Sequence, residues 1–292
     1  MLKVTTYRGI KQIVKGMPTS DGDGVQLTRI IGSPYINYFD PFLLLDAFGS
    51  DKPQDYIGGF PLHPHRGFET VTYMLAGKMR HKDSAGNEGV IEAGSVQWMT
   101  AGKGIIHSEM PEQEDGLLAG FQLWVNLPAE HKMTEPKYQE FSKGQIAREV
   151  RGSDCKISVI AGETSQGTKG VIDNKFVNPI YWDVELIKGG EFEEQIPVEL
   201  NAFIYVIEGE LSITSGDNAQ TITRESVIAK EELAILEDGD LIKVVASCDS
   251  RYLVIAGKPL NEPVERAGPF VMNTRQEIQQ AFDDYRSGSL VD

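Results

Sequence analysis

Cysteine is nearly absent: Cys155 and Cys248, 93 positions apart, are the only two in 292 residues. So sparse a pair excludes a disulfide-stapled secreted scaffold and fits a reducing compartment. Histidine is also scarce, at five residues, so any clustering of it carries information. No apolar run approaches the ~20 residues that a membrane-crossing helix needs. The stretch from Met1 to Ile10 carries Lys3 and Arg8 and has no uninterrupted apolar segment, so it does not read as a secretory signal. Basic residues are outnumbered, 28 Lys and Arg against 43 Asp and Glu, for a net charge of −15. Such a surface repels phosphate backbones and anionic headgroups, so neither direct nucleic-acid contact nor membrane binding is expected. The reading is a cytoplasmic protein, with the nucleus left open, and a monomer.

What is present suits a packed globular chain: 40% of residues are hydrophobic and 24% charged. Short runs rich in Val, Ile, Phe, Tyr and Trp recur, among them Phe42–Asp46, Thr70–Leu75, Phe121–Val125, Ile180–Ile187 and Phe203–Ile207. Turns are expected at Ala85-Gly-Asn, Ser215-Gly-Asp and Asp238-Gly-Asp. Extended runs punctuated this way predict an all-β chain of barrels or sandwiches. A shift of 132 residues lays Gly58 on Gly190, Tyr73 on Tyr205 and Gly77 on Gly209, the mark of a duplicated domain. In both copies the alternation then assigns Val71, Tyr73 and Leu75, and Phe203, Tyr205 and Ile207, to the inward face. The polar stretch 131–151 reads as a linker, which divides the chain into 1–130 and 152–292. Near the end, Thr274-Arg-Gln-Glu277 has capping-box spacing, Ile278, Ala281, Phe282 and Tyr285 share a helical stripe, and Gly288 supplies a stop. A helix over 275–287 is predicted, packed on the outside of a barrel.

Three of the five histidines fall in two short patterns, His63-Pro-His65 and His107-Ser-Glu109. Residues i and i+2 of a strand project to the same side, so each pattern presents two donors together. Two such strands on the inner wall of a small barrel bring His63, His65, His107 and Glu109 to one point, as metal bonds of about 2.0–2.2 Å require. Three imidazoles and a carboxylate without thiolate suit Fe(II), Mn, Co, Ni, Cu or Zn and disfavour calcium, magnesium and iron–sulfur clusters. Iron(II) is the first choice, because four protein ligands on an octahedral ion leave two positions open. His81, amid Lys78, Arg80 and Lys82, and His131, between Glu130 and Lys132, are read as solvated. Gly102-Lys103-Gly104 lacks the glycine spacing and following Ser or Thr of a phosphate-binding loop and is read as a turn. Trp98 and Trp124 lie near the donor strands, where core packing and a wall for an aromatic substrate are both open to them.

The run from Gly58 to Thr70, which holds His-Pro-His-Arg-Gly, and the run from Gln97 to Pro111, which holds His-Ser-Glu, resemble the two signatures of the pirin family within the cupin superfamily. Gly120–Pro128, Asp40–Asp46 and Gly268–Thr274 are similar too, so the likeness extends from near residue 30 to near residue 285 and is weaker between 130 and 255. The resemblance implies a bicupin of two face-to-face jelly-roll barrels, with one mononuclear metal, usually iron, in the amino-terminal barrel. It places His63, His65, His107 and Glu109 on the family's ligand positions. Glu69 also sits at a carboxylate position of the wider cupin pattern and on an inward parity; the pirin pattern prefers Glu109 and leaves Glu69 an orienting or structural role. Opposite His63 and His65, the 132-residue shift puts Gln195 and Pro197, which are poor metal ligands, so the second barrel is expected to hold no metal.

The activity that the resemblance implies is quercetin 2,3-dioxygenase: a flavonol and dioxygen as substrates, ring opening, and release of carbon monoxide, with Glu109 as both ligand and base. A second implied role is regulatory, an iron protein whose oxidation state biases recognition of a transcription factor or metabolic enzyme without catalysis. A hydrolase or isomerase that uses the same ion without redox chemistry is a third.

Overall fold

The structure is a computed structural model that describes residues 6–215 and 226–292; of the turn at Ser215-Gly-Asp, the last two residues lie outside the described residues. Strands dominate, as the period-two patterning requires, and all the sheet pairings are antiparallel. The chain forms two compact units, each built on a seven-stranded and a four-stranded sheet, and the unit that holds Leu260–Asp292 has a two-stranded sheet besides. Neither sheet pair closes into a barrel among the described residues, so each unit is an open two-sheet cupin sandwich rather than the closed barrel expected.

The units do not follow a cut at 130 and 152. One comprises the chain up to Gly16 and Gln145–Pro259; the other comprises Met17–Gly144 and Leu260–Asp292. The stretch read as a linker is largely strand. Lys137–Phe141 pairs with Val96–Thr100 in one unit and Ala147–Arg151 with Cys155–Ala161 in the other, so the chain passes between units at Gly144 and Gln145. Polar composition misled here because edge strands with one solvated face are rich in Glu, Lys and Gln. Ile10–Lys15 likewise pairs with Glu232–Leu236 in the second half's sheet. The helix Arg275–Ser287 forms as predicted, with a Thr274–Glu277 capping box and a left-handed Gly288 stop. It belongs with the first half of the chain, where Ile278 and Ala281 pack with Phe270, Met272 and Leu290 beside Ile106. No helix among the described residues is long and apolar enough to cross a membrane.

The 132-residue shift is visible in the ladders: Thr72 pairs with Gln122 in one large sheet and Ile204 with Val254 in the other. The inward parity is the opposite of that expected. Ala202, Ile204 and Val206 belong to the core between the sheets of the second-half unit, and Thr72 and Gln122 face the space between the sheets of the other. Val71, Tyr73, Phe203 and Tyr205 are buried on the reverse face. Because both faces of these strands are buried, alternation alone does not tell them apart.

The two interiors differ in kind. In the second-half unit, Trp182, Phe192, Ile204, Tyr252 and Val254 fill the space as a continuous core. In the other unit the equivalent positions hold Thr72, Gln122 and Gly120, and a cavity of about 660 Å³ remains between its sheets. Ile204→Ala is therefore expected to lower unfolding free energy by about 2–5 kcal/mol through the void it leaves. Leu62→Ala, at the exposed cavity rim, is expected to stay within about 0.5 kcal/mol. Denaturant unfolding of the two variants checks the contrast, and equal losses would show that both interiors are packed alike.

Candidate metal centre

The donor strands are Phe60–His65 and Ile105–Pro111, neighbours in the four-stranded sheet, with His63 directly opposite His107 and His65 opposite Ile105. A register shift follows, so Glu109 faces Phe60. Irregularities of this kind re-aim side chains at sheet edges and beside sites. Gly67 links Phe60–His65 to Phe68–Ala76 at φ +88, where a Cβ would meet the Val271 carbonyl oxygen at 1.9 Å. Only glycine passes that close to another backbone. Buried Lys132 closes the same corner, its Nζ donating to the Gly67 carbonyl at 2.8 Å, Asn126 Oδ1 at 2.6 Å and the Val271 carbonyl at 3.1 Å.

The structure brings together His63, His65 and His107, with one nitrogen of each within 4.8 Å of the others. That is slightly beyond the ~3–4 Å separation imposed by two metal bonds of about 2.1 Å. Ring centroids are 4.4 Å apart for His63 and His107 and 4.7 Å for His63 and His65. His63 Nδ1 lies 2.7 Å from the Pro61 carbonyl oxygen. A carbonyl only accepts, so Nδ1 carries the proton and Nε2 the lone pair. His65 Nδ1 and both nitrogens of His107 are buried without a hydrogen-bond partner. Burial pushes the pKa values of His65 and His107 well below the usual imidazole value, and the neighbouring imidazoles add to it. Both rings are therefore neutral, the form that ligates. Unsatisfied, water-excluded lone pairs converging on one point are costly without a bound cation, and this donor set fits a divalent transition metal.

Glu109 is not part of that close trio. It is buried, lines the cavity, and accepts a hydrogen bond from Thr72 Oγ1 at 3.0 Å. Burial raises its pKa, opposed by the nearby His63 and the Thr72 hydrogen bond. Glu69 points away from the cavity, on the parity of Val71, and accepts from Thr100 Oγ1 at 2.7 Å. His81 departs from the sequence reading: it is 4% exposed, opposite Glu109 in the ladder, with Nε2 2.8 Å from Glu140. Lys78, Arg80 and Lys82 are its i±1 and i±3 neighbours, which a strand sends to the other face, so their charge says nothing of its burial. His131 is half-exposed beside Glu130. Lys103 lies in a turn, its Nζ donating to the Asp292 carbonyl. Trp98 is core, whereas Trp124 walls the cavity edge-on to His65 at 5.3 Å.

Sequence reasoning missed the rest of the wall. Leu27, Phe48, Phe60 and Met79 form an apolar end. On the opposite large-sheet wall, Arg29 holds Asp46 through two hydrogen bonds, at 2.9 and 2.7 Å, and Asp21 through a third. Arg29 and Asp46 are cross-strand partners, a signal that exists only once the register is known. The pairs His65–Ile105 and Gln195–Leu241 stand at the same end of the two small-sheet ladders, and their offsets, 130 and 136, depart from the 132-residue repeat. Pro197 lies beyond the strand Glu191–Gln195, on which Glu193 and Gln195 are exposed and Phe192 and Glu194 are buried.

The sequence matches the family model described as Pirin over residues 24–125 and the Pirin C-terminal cupin domain over residues 181–291. It is 51% identical over 281 residues to a pirin-like protein of Caulobacter vibrioides, covering 96% of this chain and 98% of that one. A Pseudomonas aeruginosa protein provisionally named quercetin 2,3-dioxygenase is 46% identical over 290 residues, covering 98% of this chain and 99% of its own. A crystal structure of quercetin 2,3-dioxygenase from Acinetobacter baumannii matches with TM-score 0.87 at 34% identity, over 97% of this chain and 98% of that one.

The Arg29–Asp46 pair yields a pH prediction. Burial raises the Asp46 pKa, and the Arg29 hydrogen bond and charge pull it back. A carboxyl whose folded pKa lies above its unfolded value supports the fold below the ordinary carboxylate range and loses that support as pH climbs towards the raised value. Removing Arg29 enlarges the rise. Arg29→Ala is thus expected to lose about 3–5 kcal/mol at pH 7, where Asp46 is left charged and unpaired, and to recover part of it at pH 5. Denaturant unfolding at both values checks this; an equal deficit at the two would refute it.

Proposed function

The chain belongs to the pirin family, and from that premise we propose that its cavity is a mononuclear, metal-dependent dioxygenase site for small enolic aromatics, with flavonols such as quercetin as model substrates. The observation that carries the reading is the trio of close imidazoles, two of them buried, beside a roughly 660 Å³ cavity, a volume in the ~300–1,000 Å³ range of small-molecule sites. In this reading His63, His65, His107 and Glu109 hold the ion, with iron(II) the first choice and Mn, Co, Ni, Cu or Zn compatible with the same donors. When bound, the ion supplies a Lewis-acidic, redox-active centre.

The protein's own groups do the rest. Pro61 orients His63, and the Pro269 backbone hydrogen-bonds His65, so two donor rings are fixed before a metal arrives. Thr72 holds the Glu109 carboxylate by one oxygen, and the other is the acceptor for the flavonol 3-hydroxyl proton. Thr72 Oγ1 also lies 2.7 Å from Gln122 Oε1, so its single proton serves two acceptors, the Glu109 carboxylate and the Gln122 amide oxygen. Thr72 is thereby locked. Leu27, Phe48, Phe60 and Met79 offer the apolar end to the substrate's rings and exclude water from the deprotonated enol. One dioxygen is consumed as the central ring opens and one carbon monoxide leaves.

Elemental analysis of freshly purified protein, paired with an oxygen electrode and carbon monoxide detection, tests this. One metal per chain and flavonol-dependent oxygen uptake are expected, both lost in His63→Ala. Glu109→Ala is expected to lose metal and to cut turnover by about 10²–10⁴-fold, the usual weight of a general base, while Glu69→Ala keeps its metal. Unchanged turnover in His63→Ala would exclude a metal mechanism.

A further inference from the structure

Arg266 is the cationic side chain in the cavity wall that no carboxylate holds among the described residues. It sits on the strand Glu265–Ala267 of a two-stranded hairpin and is exposed. Its guanidinium carbon lies 4.6 Å from the centroid of Trp124, and one nitrogen, Nη1, donates to the Leu43 carbonyl at 3.2 Å. The two nearest carboxylates, Asp46 and Asp21, are taken by Arg29. Stacking on the indole and the Leu43 contact fix the guanidinium plane and leave its remaining N–H donors without partners of their own. Trp124 also packs edge-on against His65, which ties the position of the guanidinium to the donor trio.

In a chain of net charge −15, this cavity-wall guanidinium keeps N–H donors for an incoming anion because its nearest carboxylates are bonded to Arg29. Burial lowers its pKa and Arg29 adds to that, with the charges of Asp46 and Asp21 acting in the other direction; an arginine stays charged, and here it keeps donors that no carboxylate occupies. A planar fork of N–H donors matches a carboxylate in two parallel hydrogen bonds. The apolar end of the cavity takes an unsaturated or aromatic body.

We infer that Arg266 is a specificity-determining residue and that the cavity selects small aromatic substrates carrying a carboxylate, whose anion pairs with this guanidinium while the rest of the molecule reaches the histidine trio. The inference rests on the reading of this cavity as a substrate pocket. It narrows the substrate class from neutral flavonols to aromatic acids with an ortho or enolic oxygen. Arg266 touches the bound acid at its carboxylate and takes no part in bond breaking.

The test is calorimetric binding of salicylate and of its uncharged isostere salicylamide to the full-length, as-isolated protein under nitrogen, so that no turnover intervenes. The wild type is expected to prefer salicylate by about ten-fold, the worth of a charge-assisted pair. Arg266→Gln is expected to abolish the preference. Arg266→Lys, which keeps the charge and loses the fork, is expected to retain part of it. His63→Ala separates this reading from the previous one: the preference for the anion is expected to persist there, because it does not come from a bound metal. A preference that survives in Arg266→Gln, that is absent from the wild type, or that vanishes in His63→Ala overturns the inference, as does failure of the wild type to bind either compound. Thermal unfolding of Arg266→Gln at the wild-type temperature shows that the variant is folded. Should the protein lack metal or oxygen uptake while the anion preference stands, the dioxygenase reading fails and the Arg266 assignment does not.

Discussion

Three imidazoles gathered at one point, two of them withdrawn from water, impose the main constraint on this molecule. The neutral rings of His65 and His107 carry lone pairs that normally find a donor, and Nδ1 of His65 and both nitrogens of His107 have no partner. Left alone, such an arrangement relaxes by rotating rings outward or by admitting water. It is held because the backbone around it leaves no freedom. His63 and His107 are directly opposed across an antiparallel pair, Pro61 and Pro269 restrain two rings, and the Gly67 bend is pinned against Val271 by Lys132. The fold around the donors thus works as a clamp.

That clamp needs a hollow beside it, and the comparison of the two units shows how one is made. Both sandwiches share a topology, and the 132-residue equivalence pairs Thr72 with Ile204 and Gln122 with Val254. Replacing branched aliphatics by hydroxyl and amide groups removes apolar volume and lines the space with donors and acceptors. A void so lined tolerates water or a polar ligand, whereas an apolar void of the same size weakens the fold. The lost packing is offset by polar contacts across the wall, of which the Arg29–Asp46 pair, buried on the Asp46 side, is the most fully formed.

The parts of this organisation that could be read from sequence follow from period two. His63 with His65, and His107 with Glu109, were placed on shared faces by spacing alone, and the trio of histidines does meet. The capped helix at Arg275–Ser287 was legible from local chemistry, since Thr274, Glu277 and Gly288 need no tertiary context. What escaped was any feature that depends on which face of a doubly buried strand looks inward. Glu69, Val71 and Tyr73 were given an inward parity that the structure reverses, and His81 was judged by neighbours that point the other way. The exchange of terminal segments between the units was also hidden, because strand pairing between Ile10–Lys15 and Glu232–Leu236 joins positions more than two hundred residues apart. Nothing local distinguishes such an edge strand from a linker.

The exchange has a physical consequence for the site. Phe270, Met272 and the C-terminal helix pack around Ile106, the residue between the pairs His65–Ile105 and His63–His107 in the ladder. Arg66, next to His65, reaches Asp284 on that helix at 2.6 Å, and Pro269 and Arg266 line the cavity from the same returning segment. The donor strands are therefore backed by chain that is synthesised last, with the whole second-half unit lying between in sequence. A donor set assembled from residues 60–110 is held in place only after residues 260–290 have returned to it, which makes the completed two-unit chain, rather than its first half, the smallest piece that can present this centre as the structure shows it.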